Sequence, residues 1–219
     1  MSGEFFEPPP PPAEPPSRAT PIPPWFGPPS GSLPGVVGLE LVLARTPALA
    51  VCVTRVSAYA TGFELDVLTF GSSEAGEELD HPFFMRRRGP RGARDEGSLR
   101  FGVQFSDGGK ATNMGGPRPL RFEEQPQGPV LTGHGGGGGG SRWSQQFWVW
   151  PLPPPGQLAL VCEWPAVSIP LTRHEIDAQL ILDAAGRAQE IFAPGPQGGG
   201  RWSSYAPLAP VVRIGESER

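Results

Sequence analysis

The stretch SLRFGVQFS, residues 98–106, restricts the fold more than any other part of the chain. Leu99, Phe101, Val103 and Phe105 fall on every second position, with Arg100 and Gln104 between them. Period two with polar partners is the pattern of a half-buried antiparallel strand. The same alternation recurs in GLELVLA, where Leu39, Leu41 and Leu43 share one side, and in GFELDVLTF, where Phe63, Leu65 and Val67 do. ALAVCVTRVSAYA is β-branched and reads as a strand with a slip of phase near Arg55–Val56. Turn chemistry separates these runs at Tyr59-Ala-Thr-Gly62 and Asp107-Gly108-Gly109. Further strands are expected at 129–133, 142–150 and in QLALVCEW, where Leu158, Leu160, Cys162 and Trp164 lie on one face. Many short strands at such spacing predict a mainly β chain, an antiparallel immunoglobulin-like β-sandwich.

The 31 glycines and 30 prolines would suggest disorder if spread evenly, but they are clustered. This divides the 219 residues into a disordered Pro-rich tail over 1–35, a domain over 36–192 and a loosely ordered tail over 193–219. Proline fixes φ and removes a donor, so the first segment favours extended polyproline II. A solvated tail is preferred there to a ligand for an SH3-like groove, although Phe5, Phe6, Trp25 and Phe26 are adhesive. Its deletion is expected to leave stability almost unchanged. In the C-terminal tail Trp202 and Tyr205 are the expected anchors.

A single helix is expected after residue 172. Thr172 and Glu175 match a capping box, Asp177 suits a helix start, and Leu180, Ile181, Ala184, Ala185 and Ala188 form an apolar face. Gln179, Asp183 and Arg187 take the polar side. On this reading Leu180 is buried.

Gly135–Gly140 invite comparison with a phosphate-binding loop. Ser141 and Arg142 stand where that loop needs Lys and Ser or Thr, and WSQQFWVW after it is strand-like. Without a helix N-terminus there is no dipole to hold an anion. A flexible connection between two strands is the expectation.

Charge is similarly reserved. The net value of −4 gives no general case for nucleic acid or an anionic membrane. Arg86, Arg87, Arg88, Arg91 and Arg94 are the densest basic cluster, but Glu74, Glu77, Glu78, Asp80, Asp95 and Glu96 outnumber them in the same stretch, 71–97. A self-neutralising insertion is expected, and no nucleic-acid partner. The start has no basic and apolar leader, and no apolar run approaches a membrane span. A cytoplasmic protein is therefore expected, with Cys52 and Cys162 as free thiols rather than a bridge.

LRFGVQFSDGGKATN, RWSQQFWVWPLPPPG and LVCEWPAVSIPLTRHEIDAQLILDAA resemble a group of uncharacterised actinobacterial proteins over roughly residues 36–190. The resemblance implies an actinobacterial, cytoplasmic setting and lends no catalytic residue. The dominance of arginine, with Lys110 the one lysine among 18 basic side chains, fits a GC-rich genome.

No cofactor or metal is expected. His81, His134 and His174 lack convergent spacing, and no G-x-S-x-G elbow is present. The candidate binding surface is Gln146, Trp148 and Trp150, which share a strand face and would offer an aromatic platform; packing in the core is the competing role for the two tryptophans. The function expected is a non-enzymatic protein-binding or scaffold module, its partner another protein. The alternative is an enzyme with a pocket near His174 and Glu175.

Overall fold

The computed structural model describes residues 22–72, 97–114 and 120–193. The described residues all belong to one compact unit, Pro21–Gly195. The arginine cluster, Trp202 and Tyr205 lie outside them, as do residues 1–21.

The fold is mainly β, with 55% of the described residues in strands. After the short β1 (Ser32–Leu33) come β2 (Gly35–Arg45), β3 (Leu49–Ala58) and β4 (Phe63–Gly71). These are followed by β5 (Arg100–Gln104), β6 (Lys110–Thr112), β7 (Val130–Gly139), β8 (Arg142–Trp150) and β9 (Gln157–Trp164). A 3-10 turn at Pro165–Val167 leads into β10 (Ile169–Asp177), then α1 (Gln179–Ala185) and β11 (Gln189–Glu190). Five strands form one sheet in the order β2-β3-β4-β8-β7, and four form another in the order β10-β9-β5-β6. All pairings are antiparallel, including β1 with β11.

Alternation decides which face each residue takes. Val51, Val53, Leu65, Val67 and Val149 of the larger sheet meet Phe101, Val103, Leu158 and Leu160 of the smaller one in a single buried cluster. Phe101 stacks on Phe147 across the two sheets at 5.1 Å. The run 99–105 is buried at all four apolar positions, as its period requires. The phase slip in β3 falls at Thr54, where the register with β4 jumps between Val53 and Arg55. In an immunoglobulin domain the chain changes sheet between its second and third strands. Here β2, β3 and β4 stay together in one sheet, so that connectivity is not reproduced.

The helix is shorter and later than the sequence suggested. Thr172 and Glu175 lie in β10, opposite Cys162 and Ala159 of β9, and form no capping box. Strand pairing with β9 satisfies those backbone groups before a helix can claim them. Asp177 does support the helix start, its Oδ1 accepting a hydrogen bond from the Gln179 amide at 2.9 Å. Ile181 and Ala184 are fully buried, while Leu180 is 45% exposed. The helix packs on β2 and β3, and a Cβ at Gly35 would collide with the Ala184 carbonyl.

Gly135–Gly139 are no slack loop. They continue β7 to a two-residue turn at Gly140–Ser141, with Gly136, Gly137, Gly138 and Gly139 paired to Gln145, Ser144, Trp143 and Arg142. Gly140 takes a left-handed φ of 57°, the conformation that tight hairpins need. A Cβ at Gly138 would strike the Arg142 carbonyl and lie 2.7 Å from Trp143 Cα, whereas one at Gly137 meets nothing within 4 Å. Gly138→Ala should therefore destabilise the protein by about 1–3 kcal/mol, as other overpacked sites do. Gly137→Ala should be neutral or stabilise by up to about 1 kcal/mol, because glycine loses more entropy on ordering. Equal denaturation midpoints for the two variants would mean that Gly138 does not lie close against β8.

Candidate binding surfaces

β8 turns Phe147 and Val149 into the core and Gln146, Trp148 and Trp150 to the outer face of the larger sheet. At the two tryptophans that outer face is covered. Trp148 is fully buried and Trp150 only 9% exposed. The cover is the N-terminal segment around Trp25. Trp148 Nε1 donates to the Pro24 carbonyl at 3.0 Å, and Trp25 sits edge-on to Trp150 at 5.9 Å. Trp25 Nε1 in turn donates to the Arg121 carbonyl at 3.0 Å, and Phe26 stacks on Phe122 at 4.2 Å. Proline suits such a cover because it brings carbonyl acceptors without N–H groups that would need partners. The expected platform is thus used within the molecule: two of its three residues are closed over, and the stretch 22–35 is no free tail. The pairing of Trp25 with Phe26 at the end of the proline run was the sequence signal for this.

Beside the tryptophans the same face is polar. Tyr59 packs edge-on to Trp148 at 5.7 Å, and its hydroxyl donates to Glu64 Oε2 at 3.2 Å. Burial, with the neighbouring Glu64 charge, pushes the Tyr59 hydroxyl up to about 12, and burial also raises Glu64. Gln146 is half-buried and borders a cleft of about 540 Å³ with Thr54, Arg55, Asp66 and Ser144. Arg55 and Asp66 neutralise each other at 2.6 Å. Arg142 lies over the Phe70 ring at 5.5 Å.

His174 and Glu175 do not come together. As neighbours on β10 they point to opposite faces: His174 Nε2 is 2.8 Å from the Leu43 carbonyl, while Glu175 is exposed and paired with Arg173 at 3.1 Å. Thr172 Oγ1 is 3.1 Å from Cys162 Sγ on the inner side. Both cysteines are free thiols, each pushed up by burial. Among the described residues no group of three His, Cys, Asp or Glu side chains is placed to hold a metal ion. No helix among them is long and apolar enough to cross a membrane.

No family model matches the chain, and no curated protein or solved structure does. What the surface offers must be read from its own chemistry.

Two surfaces stand out. One is a cleft on the outer face of the smaller sheet. The other is β7, the last strand of its sheet. Its residues Gly135–Gly139 are all exposed. The side of a terminal strand that faces away from its neighbour presents backbone donors and acceptors. Natural edges are blunted by charged side chains or proline, and this one has neither over those five residues.

His134, at the start of the glycine run, ties the edge to the cover. A Cβ on Gly27 would stand only 2.9 Å from its imidazole Cε1. Burial pushes its pKa below the ordinary 6.5, opposed by a hydrogen bond to the Phe26 backbone. Nε2 is buried with no hydrogen-bond partner. A histidine whose folded pKa is depressed adds stability above about pH 6.5, and that stability fades as the pH falls through the lower folded value. Wild-type melting temperature should fall more steeply below this point than that of His134→Gln. Parallel profiles for the two proteins would show that His134 stays accessible to protons in the fold.

Proposed function

We propose that this chain is a non-enzymatic protein-binding module of an actinobacterial cytoplasm, built as a β-sandwich, whose partner adds an extended strand to the open edge of β7. The observation that carries this reading is the run Gly135–Gly139, an exposed edge whose own residues carry no side chains; Ser144 Oγ and Gln145 Nε2 already donate to the Gly137 and Gly135 carbonyls, at 3.0 Å each. Glycine inside a strand often marks a place where another backbone comes close. Packing against β8 accounts for Gly136 and Gly138, but Gly137 and Gly139 have open space where a Cβ would be. Strand addition gives affinity through main-chain hydrogen bonds and specificity through alternate side chains. On the outer face, the partner's side chains would pass over bare glycine toward Arg142 and Ser144, which stand opposite Gly139 and Gly137. The cytoplasmic, actinobacterial setting rests on the sequence resemblance and the arginine-rich composition.

The test is selection from a random peptide library on the wild-type protein. Enriched peptides should protect the amides of residues 135–139 from hydrogen exchange. Gly137→Lys with Gly139→Lys, at two sites with room for a side chain, should abolish that binding by placing charges on the edge. Peptides that bind the double variant as well as the wild type would overturn the proposal.

A further inference from the structure

The outer face of the four-stranded sheet holds a second feature, independent of the β7 edge. Register lays its side chains out in rows. Arg173 stands opposite Val161, Val161 opposite Gly102, and Gly102 opposite Thr112, so one row crosses all four strands. On one side of it Glu163 is opposite Arg100. On the other, Glu175, Ala159, Gln104 and Lys110 form a row of their own. The middle row is low at its centre because Gly102 has no side chain. It must be glycine: a Cβ there would lie 2.8 Å from the Ala111 carbonyl and 3.0 Å from Thr112 Cγ2. The close approach of β5 to β6 thus leaves a trough across the sheet, a half-open cleft of about 360 Å³. That volume falls at the lower end of the range for small-molecule sites.

The trough is apolar below and cationic at its rim. Val161 and Gly102 contribute to its floor, and two large apolar side chains, Leu171 and Met114, line it while 68% and 44% exposed. Among the described residues Arg100, Lys110 and Arg173 also line it, against one carboxylate, Glu163. Glu163 is held by Arg100 at 2.8 Å, and Arg100 Nε remains buried with no hydrogen-bond partner. Glu175, outside the lining, takes part of Arg173, which also donates to Gln104 Oε1 at 2.7 Å. Lys110 has no carboxylate within salt-bridge distance among the described residues. A cationic surplus around an exposed apolar floor is complementary to an anion that carries an apolar body. A metal ion would lack ligands with a single carboxylate already tied to arginine.

We propose that this trough is a binding site for a small organic carboxylate, its apolar body over Gly102 and Val161 and its carboxylate at Lys110 and Arg173. The experiment titrates the full chain with octanoate and with octylamine, following the methyl resonances of Val161, Leu171 and Met114. Octanoate should shift these resonances saturably at millimolar or lower concentration, and octylamine should not. Lys110→Glu, at an exposed site, should weaken octanoate binding by about tenfold or more. Val161→Trp, which fills the trough, should abolish it; melting transitions establish that each variant is folded, and Lys110→Glu decides the matter if Val161→Trp is not. Equal binding of octanoate and octylamine, no saturable shift with octanoate, or undiminished affinity in folded Lys110→Glu would each overturn the proposal. Binding at the β7 edge is read by a different probe and at different residues, so either site can fail without the other.

Discussion

Trp148→Ala should destabilise the protein by about 3–5 kcal/mol, the range for a large aromatic removed from a packed site. The side chain is fully buried, contacts Tyr59 and donates to the Pro24 carbonyl. Its loss leaves a cavity between the larger sheet and the segment that covers it. Deleting residues 1–27 should also lower stability, because it uncovers Trp148 and Trp150 and removes the Trp25 contacts. The two changes act on one contact and should be strongly non-additive: the deletion should cost much less in the Trp148→Ala background. Equilibrium denaturation of the four proteins closes the cycle. Additive losses would show that the segment and Trp148 stabilise the fold separately. A deletion with no effect would restore the sequence expectation of a dispensable tail.

Ile181→Ala should cost about 2–5 kcal/mol, since Ile181 is fully buried and belongs to the main core cluster. Leu180→Ala, one position earlier, should cost no more than about 1 kcal/mol, because nearly half of that side chain is in water. The contrast tests where the helix sits. A helix beginning near residue 173, as the capping-box pattern implied, would have buried Leu180. Similar losses from both substitutions would mean that the helix is rotated about its axis, with Leu180 and Ile181 sharing the contact with β2 and β3.

Strand existence was legible because the period of side chains along a strand is a local property. Residues 99–105, 63–67 and 158–164 carry it so clearly that their buried positions could be named in advance. The slip of phase in β3 was legible to within a residue or two for the same reason. The capping box failed because T-x-x-E at 172–175 is a statement about what the backbone could do alone. Once β9 stands beside it, the same backbone groups make ladder hydrogen bonds instead. The glycines failed in a similar way. Gly135–Gly139 have no side chains to alternate, so no period marks them as a strand, and it is β8, through Gln145, Ser144 and Trp143, that supplies their register.

The candidate site was legible in part. That Gln146, Trp148 and Trp150 share one face follows from alternation, but whether that face meets solvent or another segment does not. Trp25 and Trp148 are more than a hundred residues apart, and only the folded chain brings them together. The trough is less visible still, since it depends on which residue of β5 stands between which residues of β6 and β9. By itself the sequence determined the class of the fold, the inward residues of most strands and the polar side of the helix, all of which depend on neighbours a few positions away. Tertiary structure alone decided the strand order, the edge left open on β7, the cover over the tryptophans and the rows around Gly102. Each of these is a contact between distant segments, chosen by how their surfaces fit rather than by any short-range pattern.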